Sequence, residues 1–249
     1  ELAFLEGLLV NLNVGFLSQA ELKYLQDIVA TVELSLEVLS KDFLLPNRAH
    51  HRSPSKDPDI RVKFLETTGK LNFPTLTGIM VGIGEKPEDR IRTLVKIKEI
   101  HEEYGHIQSV KIAPFMPMDE HEYPYKQPPY EVLLETVRLA REILPTDVDI
   151  VVPINRFPDI LTLVQHGMSD LGQIRCFGQD CLFPSATFLK LEEYQKILED
   201  NGYRMFKRLP IKNAFISAQK YSKKLGQFLD KYKVRLKENS KEDKFALTF

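Results

Sequence analysis

A glycine turn that follows an apolar run is the stretch of this sequence best suited to holding a ligand. Residues 77–85 read Thr-Gly-Ile-Met-Val-Gly-Ile-Gly-Glu, which predicts a buried strand running into a turn closed by the carboxylate of Glu85. Gly82 and Gly84 can adopt positive φ angles and let the backbone approach another molecule closely. By spacing alone, an ordinary strand that ends in a loop is the simpler interpretation.

Histidines and cysteines form no recognisable metal or nucleophile motif. The six histidines lack the His-Glu-x-x-His and His-x-His spacings of metal sites, even where residues 118–122 read Met-Asp-Glu-His-Glu. The two cysteines, Cys176 and Cys181, are too few for a disulfide framework, and inert free thiols are the simpler prediction. The sequence also lacks a Gly-x-Ser-x-Gly motif, a P-loop and a dinucleotide-binding fingerprint. We therefore predict no catalytic and no metal-binding residue from spacing.

The composition indicates a soluble globular protein. Its 249 residues are 43% hydrophobic and 28% charged, which allows one domain with a large core. The net charge of -1 gives no overall attraction to nucleic acid or to a membrane surface, and no apolar run reaches the ~18 residues of a membrane span. The acidic start does not resemble a signal peptide, and without an initiating methionine we expect a processed chain or a piece of a longer one. Few cysteines suggest a reducing compartment, either cytoplasm or an organelle matrix.

Predicted strands and helices alternate along most of the chain. Ser18 and Glu21 predict a capping box at the start of a helix, and Asp57 followed by Pro58 predicts another helix start. The predicted helices are 19–28, 59–68, 86–104, 131–144, 157–166 and 189–201, and the predicted strands are 8–10, 31–37, the run before the glycine turn, 108–115, 148–152 and 204–209. This alternation predicts an α/β fold with a parallel sheet, either a barrel or an open sheet.

The character of the sequence changes after Pro210, which predicts a domain over 1–210 and an extension over 211–249. Basic and aromatic residues alternate in the extension, namely Lys220, Lys223, Lys224, Lys231, Lys233, Arg235, Lys237, Lys241 and Lys244 with Tyr221, Phe228, Tyr232, Phe245 and Phe249. We predict a helix followed by a loose tail without specific chemistry. The same mixture suits docking on an acidic protein or on RNA.

Four segments taken together resemble one enzyme family. Residues 78–85 fit the Gly-x-Ile-x-Gly-x-x-Glu motif of the fifth barrel strand in radical S-adenosylmethionine (SAM) enzymes, with Met80 in place of the usual isoleucine. Residues 52–58 (Arg-Ser-Pro-Ser-Lys-Asp-Pro), 71–74 (Leu-Asn-Phe-Pro) and 104–108 (Tyr-Gly-His-Ile-Gln) fall in order around it. Together they resemble the radical-SAM part of the FO synthase family, whose members form a deazaflavin. The resemblance runs from about residue 2 to about residue 210 and is most specific in its middle third.

This resemblance implies a partial (β/α) barrel of radical-SAM type that lacks the first strands and carries a basic helical tail. Glu37 matches the acidic residue that contacts SAM in such enzymes, although an exposed glutamate at a strand end explains its spacing equally well. The other SAM-binding positions implied are Gly78, Met80, Gly82, Gly84 and Glu85. The substrate-side positions implied are Thr77, Gln108, Asn155 and Asp170.

Departures from the family pattern argue against chemistry in this chain. The Cys-x-x-x-Cys-x-x-Cys loop, whose three thiolates hold a [4Fe-4S] cluster, has no counterpart here. Residues 11 and 12 are Asn and Leu where the family has His-Thr, and residues 112–115 read Ile-Ala-Pro-Phe where it has Ile-Gln-Asn-Phe. Residues with backbone roles, such as Ser53, Pro54 and Gly105, are retained. The pattern predicts a scaffold that has kept its turns and lost its polar groups.

From these observations we predict a non-catalytic, FO synthase-like pseudoenzyme that serves as a structural or accessory subunit of a larger assembly, without a cofactor of its own. A barrel short of two strands exposes two sheet edges, which other protein subunits would cover. The alternative is a piece of an active FO synthase whose missing part supplies the cluster cysteines. SAM and a [4Fe-4S] cluster would then form the deazaflavin from a tyrosine–diaminouracil adduct. A third possibility, an RNA-associated protein, rests on the basic tail.

Overall fold

Five parallel strands form the main sheet of the computed structural model, which describes residues 2–117, 124–154, 159–172, 190–206, 208–219, 221–229 and 246–248. The strands are paired in chain order as β1 Asn11–Leu12, β2 Thr31–Glu33, β3 Thr75–Val81, β4 Ile107–Pro114 and β5 Asp149–Val151. The predicted α/β fold with a parallel sheet is therefore confirmed. Within the described residues β1 and β5 are the two edges of this sheet, so closure into a barrel stays a prediction.

Helices connect the strands, as a parallel sheet requires. They are α1 Leu2–Leu5, α2 Gln19–Leu25, α3 Pro58–Lys70, α4 Pro87–Tyr104, α5 Tyr130–Ile143, α6 Ile160–Gln165, α7 Leu191–Glu199 and α8 Asn213–Ser217, with 3-10 turns at Lys41–Leu44 and Pro54–Lys56 and a further helical stretch over 223–229. A second, two-stranded sheet pairs β6 Arg204–Phe206 in parallel with β7 Ala246–Thr248. In the part of the chain that is described, no helix has both the length and the apolar character needed to cross a membrane.

Both predicted helix starts are confirmed. The Ser18 amide donates to Glu21 Oε2 over 2.7 Å, and the Asp57 carboxylate accepts from the Asp59 amide over 2.9 Å. The helix predicted over 59–68 spans Pro58–Lys70 and so ends two residues later than predicted. A Cβ on residue 69 would lie 2.5 Å from Cγ of Tyr104. This glycine therefore permits close packing of α3 against α4.

At the start of the chain one strand prediction is wrong and another is confirmed only in part. The predicted strand 8–10 lies just before β1, and the predicted strand 31–37 keeps regular pairing only to Glu33. The Thr77 hydroxyl accepts a hydrogen bond from the Leu36 amide (3.2 Å) and donates one to the Leu34 carbonyl (2.9 Å). The side chain of Thr77 thus satisfies backbone groups beyond Glu33 that a regular strand would pair with β3. Regular pairing with β3 recurs only at an isolated bridge between Glu37 and Ile79.

Residues on the far side of the predicted boundary at 210 pack into the main core. Ile211, Phe215, Ile216, Leu225 and Leu229 are buried in the same cluster as the residues that flank the sheet. The Phe228 ring lies 4.7 Å from the Phe4 ring, between centroids. The described residues therefore show no break in the core at 210. Of the predicted extension over 211–249, residues 230–245 lie outside the described residues.

We expect Leu225→Ala to destabilise the whole domain, because this side chain is 2% exposed within the shared core. Truncating a buried leucine typically costs about 2–5 kcal/mol of unfolding free energy. The measurement is urea unfolding followed by circular dichroism, with the exposed Gln227→Ala as the control variant. A Leu225→Ala protein with an unchanged midpoint would show that residues 211–229 are a separate extension after all.

Candidate active site

Glu37 is fixed at the carboxyl-terminal edge of the sheet, the edge at which parallel α/β folds place their sites. Its φ angle of 65° is in the left-handed region. The Glu37 amide donates to the Gly78 carbonyl over 2.9 Å, and the Glu37 carbonyl accepts from the Met80 amide over 3.0 Å. The structure therefore brings together three of the residues predicted to bind SAM.

The carboxylate of Glu37 is surrounded by three basic side chains, and these four residues form the Glu37 cluster. His50 Nε2 lies 2.9 Å from Oε2, while Oε1 contacts Lys56 Nζ and lies 3.3 Å from Arg61 Nη1. The side chains of Glu37 and Arg61 are each 7% exposed, whereas that of Lys56 is 32% exposed. Of these three side chains, that of Lys56 is therefore the most accessible to solvent.

Opposing effects set the protonation of Glu37. Burial raises its pKa, but the hydrogen bond with His50 and the positive charges of Lys56 and Arg61 outweigh burial and lower the pKa of Glu37 to about 2. Burial lowers the pKa of Arg61, and the neighbouring carboxylate opposes that change. The single negative charge of Glu37 faces the two positive charges of Lys56 and Arg61, so these three residues together have an excess of one positive charge.

The loop before α3 and the first turn of α3 position the two cations. Arg61 Nε donates to the Ser55 carbonyl over 3.0 Å, and its Nη1 contacts the Ser35 carbonyl oxygen. Sequence reasoning missed His50, Lys56 and Arg61 as members of a site. A signal for Arg61 was present, because it shares the buried face of α3 with Phe64, Leu65 and Thr68 at helical spacing, where a lone cation needs a partner.

The glycine turn after β3 is closed by Glu85 from within. The Glu85 carboxylate accepts from the Gly82 amide (3.0 Å) and the Ile83 amide (2.8 Å), and Arg90 Nη1 lies 3.0 Å away. Gly82 and Gly84 have φ angles of 97° and 88°. The described contacts of Glu85 are thus all with the chain itself, and a direct contact between Glu85 and SAM stays a prediction.

Segment 124–129 of the same chain packs closely against Gly82 and Gly84, at positions where a side chain would collide with it. A Cβ at position 82 would lie 2.7 Å from Pro128 Cδ, and one at position 84 would lie 2.7 Å from Tyr125 Cε1. The turn is therefore covered on this side. Contacts of Gly82 and Gly84 with SAM also stay predictions.

Gly78 has a packing role in the described structure. A Cβ at position 78 would collide with the carbonyl oxygen of Lys111, its register partner on β4. The Lys111 ammonium contacts the carboxylate of Glu33 on β2, on the far side of β3, and Asn11 Nδ2 donates to the same carboxylate over 3.2 Å. The missing side chain of Gly78 leaves room for this cross-strand pair.

The predicted substrate-side residues are not gathered at one place. Thr77 is 2% exposed and bonded to backbone, as described above. Gln108 lies near the start of β4, about 13 Å along the strand from the level of Glu37 at ~3.3 Å per residue. Its side-chain Nε2 donates to the Pro210 carbonyl (2.8 Å), and its side-chain Oε1 accepts from the Lys212 backbone amide (3.2 Å). Their roles toward a substrate stay predictions.

Asp170 is fully buried beside β5, where it forms a bridge with Val151. Burial raises its pKa, and Arg208, whose Nε donates to Oδ2 over 2.7 Å, opposes that rise. Its other oxygen accepts from the Gly172 amide over 2.7 Å. The fourth substrate-side residue, Asn155, lies outside the described residues, as do Cys176, Cys181 and residues 118–122.

The donor set does not fit a [4Fe-4S] cluster. Such a cluster with an open iron needs three thiolates, and the chain contains two cysteines. Among the residues that the structure describes, no three His, Cys, Asp or Glu side chains are grouped so as to hold a metal ion. We therefore assign no step of a reaction to a cluster held by this chain.

Curated proteins of one name are similar to most of the chain. The chain is 39% identical over 235 residues to 7,8-didemethyl-8-hydroxy-5-deazariboflavin synthase of Methanococcoides burtonii, and the match covers 92% of the chain and 68% of that protein. The same-named protein of Archaeoglobus fulgidus is 36% identical over 91% of the chain and 68% of its own length, and that of Methanocaldococcus jannaschii is 37% identical over 88% and 61%. No protein-family model matches.

The chain is only distantly similar to solved structures. A domain of a pyruvate-formate lyase-activating enzyme from Bacteroides vulgatus has a TM-score of 0.45 at 10% identity, over 59% of the chain and 83% of that structure. A phosphonopyruvate hydrolase has a TM-score of 0.44 at 10% identity, over 96% of both chains. Likeness at this level establishes neither a fold family nor a function.

We predict that Glu37→Gln destabilises the protein and flattens its pH dependence. Removing one partner of a buried ion pair costs about 3–5 kcal/mol, because the remaining charge is left uncompensated. Since the pKa of Glu37 falls from 4.5 to about 2 on folding, its stabilising effect is complete above pH 4.5 and is lost as the pH falls toward 2. The measurement is urea unfolding at neutral pH and at pH 3. The exposed Glu142→Gln is the control, and equal effects of the two variants would contradict the assignment.

Proposed function

This chain belongs to the 7,8-didemethyl-8-hydroxy-5-deazariboflavin synthase (FO synthase) family, and we propose that it binds SAM at the Glu37 cluster. The supporting observation is an ionised carboxylate at the carboxyl-terminal edge of a parallel sheet, with two cations fixed beside it. The cluster is organised by backbone and side-chain contacts of the chain alone. A ligand would therefore meet a site that is already assembled.

The chemistry of the Glu37 cluster matches two features of SAM. An ionised carboxylate only accepts hydrogen bonds, so the remaining acceptor capacity of Glu37 suits a ribose hydroxyl. Lys56 Nζ has three protons and is partly exposed, so it can bind the carboxylate of the methionyl group while it stays close to Glu37. Bound in this way, SAM supplies a sulfonium centre, and the described residues hold and orient it.

The three relatives described above give no support to the predicted non-catalytic accessory subunit, because they are named as the synthase itself. A function related to FO synthase is what they support. Since the two cysteines of the chain do not fit a cluster, our proposal for the chain's own residues ends at the binding and orientation of SAM.

We expect the chain to bind SAM at least about tenfold more tightly than adenosine, since one well-placed charge-assisted contact contributes ~1.4 kcal/mol or more. Lys56→Ala should bring the two affinities close together, whereas Lys41→Ala, which changes a nearby lysine paired with Asp59, should preserve their ratio. Isothermal titration calorimetry measures each affinity, and thermal melting confirms that each variant is folded. A Lys56→Ala protein that keeps the full preference for SAM would refute the proposed placement.

We propose as well that a partner polypeptide covers the β1 edge. Among the described residues β1 is paired on one side only, with β2. Large hydrophobic side chains within the first 24 residues, which include β1, are exposed by between 51% and 80%, namely Leu2, Leu5, Leu8, Val14, Phe16 and Tyr24. An open strand edge beside an apolar surface favours the addition of another strand.

We expect the isolated chain to elute larger than one chain in size-exclusion chromatography with light scattering, because this apolar surface associates. The pair Leu5→Lys and Leu8→Lys places charges on the surface and should give a monomer. Ile60→Lys changes a hydrophobic residue on α3 that is 38% exposed and should behave as the wild type. A wild-type chain that is a monodisperse, cooperatively unfolding monomer would overturn this second proposal.

A further inference from the structure

The loop over residues 45–52 carries positive charge that the described structure does not neutralise. Residues 43–56 contain Arg48, Arg52 and Lys56 and no acidic residue, in a chain whose net charge is -1. Lys56 is used by Glu37, but Arg48 and Arg52 are exposed and make no ion pair with any described residue. Two arginines are thus available to an anionic group from outside.

Short-range contacts hold these arginines in place. Arg48 Cζ lies 4.9 Å from the centroid of the Phe43 ring, and Phe43 is 1% exposed in a small core with Val38 and Ile83. Consecutive turns fix the backbone, with the His50 amide donating to the Phe43 carbonyl (2.9 Å) and the Ser53 amide to the His50 carbonyl (3.0 Å). A loop fixed in this way loses little conformational entropy when it binds a partner.

Backbone strain is present at the same place. Asn47 and Arg52 both have φ angles of 63°, in the left-handed region. Asparagine adopts this conformation readily, but arginine does not, and such strain tends to be retained where the surrounding structure and a function require it. The strained Arg52 side chain is exposed, so it is not held there by burial.

Two exposed apolar residues precede the two arginines in this loop. Leu45 is 55% exposed and is followed by the exposed Pro46. Exposed apolar side chains together with arginine are a usual composition of a protein–protein contact. Protein surfaces that bind single-stranded nucleic acid instead offer exposed aromatic rings for stacking, and Phe43, just before this loop, is buried beneath Arg48.

We propose that the loop over residues 45–52 docks an acidic segment of a partner protein, with Leu45 contacting an apolar side chain and Arg48 and Arg52 pairing with carboxylates. The loop begins a few residues after Glu37 and ends just before Lys56. The partner would therefore lie beside the Glu37 cluster. This inference does not depend on SAM binding.

The test uses the full chain and a fluorescent peptide made of Glu-Leu-Glu repeats, with binding followed by fluorescence anisotropy. The double variant Arg48→Gln, Arg52→Asn keeps a residue that tolerates a positive φ at position 52, and it should weaken binding about tenfold. The variant Lys23→Gln, Lys63→Gln removes the same charge from exposed positions on α2 and α3, and its affinity should change less than about twofold because those charges are not at the contact.

Two further measurements separate the components of the proposal. A peptide of Glu-Ser-Glu repeats should bind less tightly than the leucine peptide, and Leu45→Ser should remove that difference. Equal weakening by the two double variants would overturn the proposal, because binding would then follow net charge alone. Tighter binding of oligouridylate than of the acidic peptide, dependent on Arg48 and Arg52, would also overturn it and would identify RNA as the ligand.

Discussion

A buried charge must be compensated, and much of the carboxyl-terminal edge of the sheet is arranged around the charge of Glu37. Three separate segments contribute to it: the loop after Glu37 supplies His50, the following 3-10 turn supplies Lys56, and the first turn of α3 supplies Arg61. The backbone amide and carbonyl of Glu37 are in turn both hydrogen-bonded to β3. Moving any one segment would leave a charge uncompensated in a poorly solvated place, so the geometry of this edge is fixed before a ligand arrives.

The two ends of the sheet serve different purposes. At the amino-terminal end, polar residues bind the chain's own C-terminal part: Gln108 bonds to Pro210 and Lys212, and Lys212 Nζ lies 2.6 Å from Asp149 Oδ2. The side-chain amide of Gln108 and the carboxylate of Asp149 thus hold Pro210 and Lys212 in place. At the opposite end, Lys56 and the arginines of the 45–52 loop remain accessible. Both binding proposals for accessible cations therefore concern that end.

Features that depend on neighbours in the sequence were predictable. The capping of α2 by Ser18 and of α3 by Asp57 involves groups within three residues, and a local pattern is enough to find them. The strand and helix alternation gave the parallel sheet for the same reason. Glu37 was found through its resemblance to a family motif, since its spacing alone did not distinguish it from an exposed glutamate.

Features that depend on distant contacts were not predictable. The hydrogen bonds of the Thr77 side chain to Leu34 and Leu36 depend on how the segment after β2 packs against β3, which the sequence does not show. Gly69 lies next to the end of α3, as predicted, but its close packing against Tyr104 is a contact that the sequence does not show. Likewise, nothing near Glu37 in the sequence shows that Arg61, 24 residues later, is its partner. A single sequence does not specify such pairs, because they arise only when the elements are packed.

The central claim is that Glu37 stays ionised while buried, and nuclear magnetic resonance can measure this directly. In a protein labelled with ¹³C at the glutamate side-chain carboxyl carbon, the Glu37 signal, assigned by its loss in Glu37→Gln, is followed as the pH is lowered. The structure predicts a midpoint of about 2. A midpoint at or above 4.5, the value of an ordinary glutamate, would contradict the account, because the three basic side chains would then not be compensating a buried carboxylate.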